Sequence, residues 1–330
     1  MDYRLLGRSG IRVSSISLGT VFFGTQVAAD DGVAIIRSAL DAGINFIDTA
    51  EIYTRPNFGA AEEVVGSALQ GRRHDVVLAT KKRYDPAQFR TGTPADHSLS
   101  RHHIVSGVEG SLRRLRTDYV DLYYPHHVDP DVDLEVTLRA FDDLLRAGKV
   151  RAIGLSNFPA WLTVEALWTA DRRGFAPAVC VQSLYNLLDR TAERELVPAC
   201  ARHGLSLVPY SPLAGGVLTG KYARRAPLPP STRAALVGHS AGGRAGHIPL
   251  LNEHTLAAAA RLVVVARELG LSAGQAAIAW TRQQPQVTSV ILGASSVTQL
   301  HETLRVVDAR LDAEACARIA EAVSDKGEET

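Results

Sequence analysis

Eight times along its length the chain alternates a short run of strand-forming residues with a longer segment of helical periodicity. That rhythm restricts the fold more than any other feature. The strand-like runs centre on Ile16, Phe46, Val77, Leu122, Ile153, Val181, Val208 and Val290. Between them, apolar residues recur at three- and four-residue spacing. Val33, Ile36 and Leu40 do so, with Asp30 or Asp31 as the expected cap and Gly43 as the stop; Ile104, Val108, Leu112 and Leu115 do so after Ser100. The same pattern predicts helices over 60–69, 133–145, 160–172, 192–202, 256–269, 273–283, 297–307 and 312–322. Strict alternation implies a parallel sheet with helices outside. Eight units over 330 residues fit a closed (β/α)8 TIM barrel of the α/β class better than an open doubly wound sheet. No GxGxxG follows the first strand, which weakens the open-sheet alternative.

Two features decorate this plan. Extended pieces on either side of Gly7 to Gly10 predict an N-terminal β-hairpin turning at Arg8-Ser9-Gly10. Residues 217–249 break the rhythm with Gly220, Pro227, Pro229, Pro230, Gly238, Gly242, Gly243 and Gly246, and predict a long flexible loop within one domain spanning 1–330. Trp161, Trp168 and Trp280 all fall on helices, where packing against the barrel is expected.

Composition excludes some partners. A formal charge of +1 with interspersed signs argues against nucleic acid. No eighteen-residue apolar run and no signal-peptide pattern are present, so no membrane association is expected. Cys180, Cys200 and Cys316 are widely spaced and read as small apolar residues of a reducing compartment, with the cytoplasm as the expected location.

In a barrel of this kind, polar residues at the C-terminal ends of the strands face one shared site. That rim would hold Thr20, Asp48, Lys81, His126, Ser156, Asn157, Gln182, Tyr210 and the turn from Gly293 to Ser296, with Tyr53 in the loop after the second barrel strand. Lys82 beside Lys81, and His127 beside His126, should face the opposite way, because side chains alternate along a strand. Diverging histidines with no carboxylate or cysteine at ligand spacing predict no metal site. Asp, Tyr, Lys and His together form a proton-transfer device. A tyrosine, with a reference pKa near ~10, keeps its proton at neutral pH and can act as a general acid. A neighbouring ammonium eases its release, and a carboxylate holds that ammonium in place. A neutral histidine can orient a substrate carbonyl oxygen. No G-x-S-x-G elbow or Cys-His pair suggests a hydrolase.

These residues and their strand placement resemble the aldo-keto reductase family over nearly the whole chain. The strings that carry the likeness are LGT at 18–20, FIDTAEIY at 46–53, LATK at 78–81, TDYVDLYYPHHVDP at 117–130 and AGKVRAIGLSNF at 147–158. They continue with VPYSPLAGGVLTGKY at 208–222 and VILGASSVTQLHET at 290–303. The look of the chain is nearer the bacterial oxidoreductase, aryl-aldehyde reductase and channel beta-subunit side of the family than the aldose reductases.

The resemblance implies an NAD(P)H-dependent reductase of aldehydes or ketones, with Asp48, Tyr53, Lys81 and His126 as catalytic tetrad and Tyr53 as proton donor. It implies that Ser156, Asn157 and Gln182 grip the nicotinamide carboxamide while Tyr210 stacks on the ring. Thr20, Ser211, Leu213 and Gly215 join the cofactor set, with residues 213–216 passing under the pyrophosphate. Gly293, Ser295, Gln299 and Thr303 would receive the adenosine phosphate end. Val21, Phe22, Phe23, Tyr84 and His127 would line the pocket of a small-molecule carbonyl substrate.

Several positions depart from the family pattern. Ala294, Ser295 and Ser296 stand where relatives often carry an Arg or Lys for the 2′-phosphate, and Thr303 where an asparagine is common. NADPH remains the expected cofactor, with NADH as the alternative. Pro125 precedes His126, and TRPNFG follows Tyr53 in place of the usual glycine. The competing reading is a nicotinamide-binding barrel acting as a redox-sensing or regulatory subunit with little turnover. Surface helices of a barrel can also pack into a homo-oligomer.

Overall fold

Side-chain alternation along the strands decides what faces the barrel interior and what faces the helices. The structure is a computed structural model that describes residues 1–54, 57–82, 98–222 and 251–324. Strands β1 (Tyr3–Leu5) and β2 (Arg12–Ser14) form the antiparallel N-terminal hairpin. The barrel strands are β3 (Ile16–Gly19), β4 (Phe46–Asp48), β5 (Val77–Lys82), β6 (Val120–Pro125), β7 (Val150–Ser156), β8 (Cys180–Leu184), β9 (Ser206–Tyr210) and β10 (Val290–Leu292). They make one eight-stranded sheet in the order β10-β3-β4-β5-β6-β7-β8-β9, and every pairing in it is parallel. Its two ends meet where Leu207 bridges Val287, with the Leu207 N–H donating to the Gln286 carbonyl at 2.9 Å and the Thr288 N–H to the Leu207 carbonyl at 2.9 Å. The (β/α)8 barrel expected from the alternation is the observed fold.

The helices α1 (Ala29–Asp41), α2 (Ala60–Ala68), α3 (Arg101–Leu115), α4 (Leu134–Arg146), α5 (Ala160–Arg173) and α6 (Leu196–His203) follow successive strands. Then come α7 (Glu253–Glu268), α8 (Ala273–Arg282), α9 (Val297–Leu304) and α10 (Ala313–Val323). Ile16, Leu18, Ile47, Leu78, Tyr123 and Ile153 point outward and pack under this layer. Phe46, Ala79, Leu122, Tyr124, Cys180 and Val208 point inward and fill the barrel. Leu6 and Val13 of the hairpin close its lower end, where the Gly7 N–H donates to Ser206 Oγ at 2.7 Å.

The departures from expectation have local causes. Asp133 caps α4 as expected, its side chain accepting from the Glu135 N–H. For α1, however, Ala28 holds the cap position, and Asp30 and Asp31 lie in the first turn, where their negative charges suit the positive end of the helix dipole. Residues 191–193 form a 3-10 turn, so α6 starts at Leu196 and not near 192. Val217 and Leu218, expected in the long loop, belong to a buried 3-10 helix, Ala214–Thr219. Residues 223–249 of that expected loop lie outside the described residues. Trp280 packs in the core, 5.8 Å from the Tyr185 ring. By contrast Trp161 and Trp168 are 64% and 56% exposed. On α5 the inward stripe is taken by Leu162, Ala166 and Ala170, which leaves both tryptophans on the outer face.

The interior is tightly matched at Gly154, whose inward position faces Tyr124. A Cβ there would stand 2.2 Å from Tyr124 Cε1 and 2.9 Å from Cys180 Sγ. Gly154→Ala is therefore expected to destabilise the fold by about 1–3 kcal/mol, the usual range for overpacking a filled core. Urea unfolding measures this, and a wild-type midpoint would show that the barrel interior has slack at that layer.

Candidate active site

The same alternation that places Phe46 and Ala79 in the barrel brings Asp48 and Lys81, two residues further along their strands, to its C-terminal mouth. Both are buried, with side chains 2% and 0% exposed, and Lys81 Nζ lies 2.5 Å from Asp48 Oδ1. The ammonium also donates to the Thr49 carbonyl at 2.8 Å and to the Tyr53 hydroxyl oxygen at 2.9 Å. Three acceptors match its three N–H donors. Burial pushes the Lys81 pKa below the ordinary lysine value, and the Asp48 carboxylate works against that shift. The other Asp48 oxygen accepts from Gln182 Nε2 at 2.8 Å. A continuous chain, Tyr53–Lys81–Asp48–Gln182, thus crosses the barrel from β4 to β8.

His126 follows directly on β6. Its N–H donates to the Lys82 carbonyl at 2.7 Å. Its ring meets the Tyr53 ring edge-on, with centroids 5.9 Å apart and planes at 72°. His127 was expected to face away, and it does not: the two imidazoles stack at 5.1 Å with planes 20° apart. Strand pairing ends at Pro125, so the pleat that would send neighbouring side chains to opposite faces no longer operates past it. Lys81 and Lys82, both within β5, do diverge as the pleat requires, Lys82 reaching Glu51 instead.

Ser156 ends β7 fully buried, and its Oγ accepts from Asn157 Nδ2 at 3.1 Å. Asn157 adopts a left-handed backbone, φ 59°. From there its amide donates to the His126 carbonyl at 2.9 Å and accepts from the Tyr210 hydroxyl at 2.8 Å, while its N–H donates to the Gln182 carbonyl at 3.0 Å. Asn157 therefore ties the ends of β6, β8 and β9 together. Burial pushes the Tyr210 phenol upward, which keeps it a donor. Ser156, Asn157, Gln182 and Tyr210 form one hydroxyl and amide cluster beside the Tyr53–Lys81 pair, a donor set that fits a carboxamide.

The remaining expected cofactor residues fall in three places. Thr20 is buried, and its hydroxyl and N–H both donate to the Asp48 carbonyl at 3.1 Å. After β9, Ser211 is left-handed at φ 55° and its carbonyl accepts from Asn186 Nδ2 at 3.0 Å. Leu213 then leads into Ala214, Gly215 and Gly216 with φ of 50°, 68° and 97°. Within this turn the Ala214 N–H donates to the Ser211 carbonyl at 2.9 Å and the Gly216 N–H to the Leu213 carbonyl at 2.8 Å. A Cβ on Gly216 would stand 2.7 Å from Lys221 Cε and 2.9 Å from its Nζ. Lys221 is thus a cation beside this loop that the sequence analysis does not single out, although its place in the quoted VPYSPLAGGVLTGKY string could have flagged it. In the turn from Gly293 to α9, Ser295 donates through N–H and Oγ to Gln299 Oε1 at 2.7 and 2.9 Å, and Ser296 caps the helix by accepting from the Gln299 N–H at 3.1 Å. Thr303 is half-buried in the last turn of that helix.

Of the expected substrate residues, Val21 and Phe22 are half-buried in the loop after β3. Phe23 instead sits in the core at 1% exposure, against Gly32 of α1, so it lines no pocket. Tyr84 lies outside the described residues. A cavity of about 430 Å³ opens elsewhere, at the N-terminal end of the strands, lined by Arg12, Asn45, His74, Tyr119, Asp121 and Arg151. Asp121 there is paired with Arg73 and Arg151, and none of the rim residues reaches it. Among the described residues no group of three or more His, Cys, Asp or Glu side chains could hold a metal ion, and no helix is long and apolar enough to cross a membrane.

Comparison with known proteins agrees with this geometry. The aldo/keto reductase family model matches residues 15–324. The chain is 38% identical to an uncharacterized oxidoreductase, YrpG, of Bacillus subtilis (strain 168), covering 100% of this chain and 98% of that protein. It is 40% identical to a probable voltage-gated potassium channel subunit beta of Oryza sativa subsp. japonica, over 93% and 92% of the two chains. It is 34% identical to protein tas of Escherichia coli (strain K12), over 97% and 96%. A match running from the first barrel strand to the last helix, with identities of this size over nearly the full length of each relative, makes the chain a member of the aldo/keto reductase family.

Proposed function

We propose that the chain reduces an aldehyde or ketone to the alcohol with NAD(P)H, using Tyr53 as the general acid. At the coarser level of its family it is an oxidoreductase, and family members typically use NAD(P)H. The observation that carries the finer reading is the Tyr53 hydroxyl held 2.9 Å from a buried ammonium that is itself 2.5 Å from a carboxylate.

When bound, the reduced nicotinamide supplies the hydride. The chain's own groups handle the charge that this creates. His126, beside Tyr53, hydrogen-bonds the carbonyl oxygen and sets its direction. Tyr53 delivers its proton to the same oxygen as negative charge develops there. Lys81 stabilises the phenolate left behind, since an adjacent positive charge favours the ionised phenol. Asp48 keeps Lys81 charged, and Gln182 keeps Asp48 in place. Ser156, Asn157, Gln182 and Tyr210 would hold the nicotinamide end, and residues 213–216 with Lys221 the pyrophosphate. For the adenosine end, the Ser295 and Ser296 hydroxyls replace the Arg or Lys best suited to a 2′-phosphate. NADPH is the cofactor we favour, with modest discrimination against NADH, and the cytoplasm the location. The relative named as a probable voltage-gated potassium channel subunit beta, at 40% identity, supports a second reading in which cofactor binding serves regulation.

A fluorescence titration with NADPH and NADH, followed by cofactor oxidation across a carbonyl panel that includes a nitrobenzaldehyde, separates the two readings. Binding with turnover is expected; binding without turnover across the panel would favour the regulatory reading. Tyr53→Phe is expected to lower kcat by about 10²–10⁴-fold while cofactor affinity stays near that of the wild type. Unchanged turnover would remove Tyr53 from the acid role. Ala294→Arg is expected to raise the preference for NADPH over NADH about 10-fold or more, the worth of one charge-assisted pair of about 1.5–3 kcal/mol. An unaltered ratio of the two KM values would place the 2′-phosphate elsewhere.

A further inference from the structure

We propose that Glu51 and Lys82, which touch none of the reacting atoms, form a positioning clamp that holds Tyr53 against Lys81. The proposal rests on the reading of Tyr53 as general acid.

Lys82 follows Lys81 on β5, and the pleat turns it out of the barrel toward α3. Its Nζ lies 3.0 Å from Glu51 Oε1, with the two side chains 4% and 17% exposed. The helix makes room for this pair at Gly107, where a Cβ would stand 2.7 Å from Lys82 Cδ and 3.3 Å from Glu51 Oε2. The other carboxylate in this layer, Glu62, is matched by Arg114 Nε at 2.7 Å and the Thr80 hydroxyl at 2.6 Å.

Glu51 lies in the loop that joins Asp48 to Tyr53. Its backbone is anchored by the Thr49 N–H to the Ala79 carbonyl at 3.0 Å and by the Tyr53 N–H to the Ala50 carbonyl at 3.2 Å, and it leaves through Thr54 at φ 72°. From inside the barrel, Lys81 holds the Tyr53 hydroxyl. From outside, Lys82 holds Glu51. Consecutive lysines of one strand therefore grip one loop from its two faces. The Lys82 carbonyl also accepts the His126 N–H at 2.7 Å, so the backbone of the same residue holds the backbone of the second residue that would face the substrate. Removing either member of this buried pair takes the outer grip off the loop. Small displacements of a reacting group are costly, on the order of 10²-fold for 1 Å.

Among the described residues, the titratable groups that face the Tyr53 phenol are Lys81, His126 and Tyr210, with Asp48 behind Lys81. Its ionisation therefore reports how closely it is held to the ammonium. The test uses the full chain with Lys82→Met, Glu51→Gln and the conservative Lys82→Arg. It measures kcat, KM, NADPH affinity by fluorescence, and the tyrosinate absorbance at 295 nm after subtraction of the matching Tyr53→Phe protein. Lys82→Met and Glu51→Gln are expected to lose about 10–100-fold in kcat with little change in NADPH affinity. Their Tyr53 titration should move to higher pH, as the phenol leaves Lys81, and Lys82→Arg should recover most of the kcat.

A lower thermal midpoint with kcat and the Tyr53 titration unmoved would assign the pair a structural role only and overturn the proposal. Should Lys82→Met fail to fold, Glu51→Gln keeps size and shape and decides by the same readouts. A wild-type chain that binds NADPH and reduces no carbonyl would remove the general-acid reading. In that case the absorbance titration still reports whether the clamp holds the phenol to Lys81.

Discussion

A lysine ammonium buried inside a protein has to find three acceptors and a counter-charge, because leaving a bare ion out of water costs several kcal/mol or more. At Lys81 that requirement is met by the Asp48 carboxylate, the Thr49 carbonyl and the Tyr53 hydroxyl. Much of the surrounding structure can be understood as the means of bringing those three groups to one point. Asp48 ends one strand, Lys81 lies on the next, and parallel pairing of Phe46 with Val77 and Asp48 with Ala79 sets their relative height. The loop after β4 then returns Tyr53 over the mouth. Thr20 holds the Asp48 backbone from the strand on the other side.

The barrel below the site is built to leave that mouth open. Phe46 and Tyr124 are the bulky inward residues, and they are accommodated by Ala79, Ala152 and Gly154 on neighbouring strands. The hairpin residues Leu6 and Val13 close the opposite end. At the open end Ser156, Asn157, Gln182 and Tyr210 tie four strand ends to one another. An ordered rim of this kind limits the reorganisation required when charge appears on a substrate oxygen.

What the sequence makes legible follows from regular elements. Asp48 and Lys81 stand at the ends of short apolar runs, so their place at the barrel mouth can be read from alternation alone. The eight strands were countable for the same reason. Contacts that depend on the closed circumference were not legible: the Gln182–Asp48 bond joins residues 134 apart across the barrel, and no local pattern announces it. Irregular backbone hid the rest. His127 stacks on His126 because pairing stops at Pro125, whereas the residue pattern alone continues the strand one position further. Phe23 lies in the core because the loop after β3 folds back on α1. On α5, three small or aliphatic residues satisfy the inward face, so the two largest side chains of that helix are left outside.

The central claim is that the Lys81 ammonium tunes the Tyr53 phenol for proton donation. The pH dependence of kcat/KM for carbonyl reduction, compared between wild type and Lys81→Met, tests it most directly. An adjacent positive charge favours the phenolate, so the account predicts a wild-type rate that falls as pH rises through the Tyr53 ionisation. Removing the charge should shift that alkaline limb to higher pH while lowering the plateau. An alkaline limb that stays at the same pH in both proteins would contradict the account.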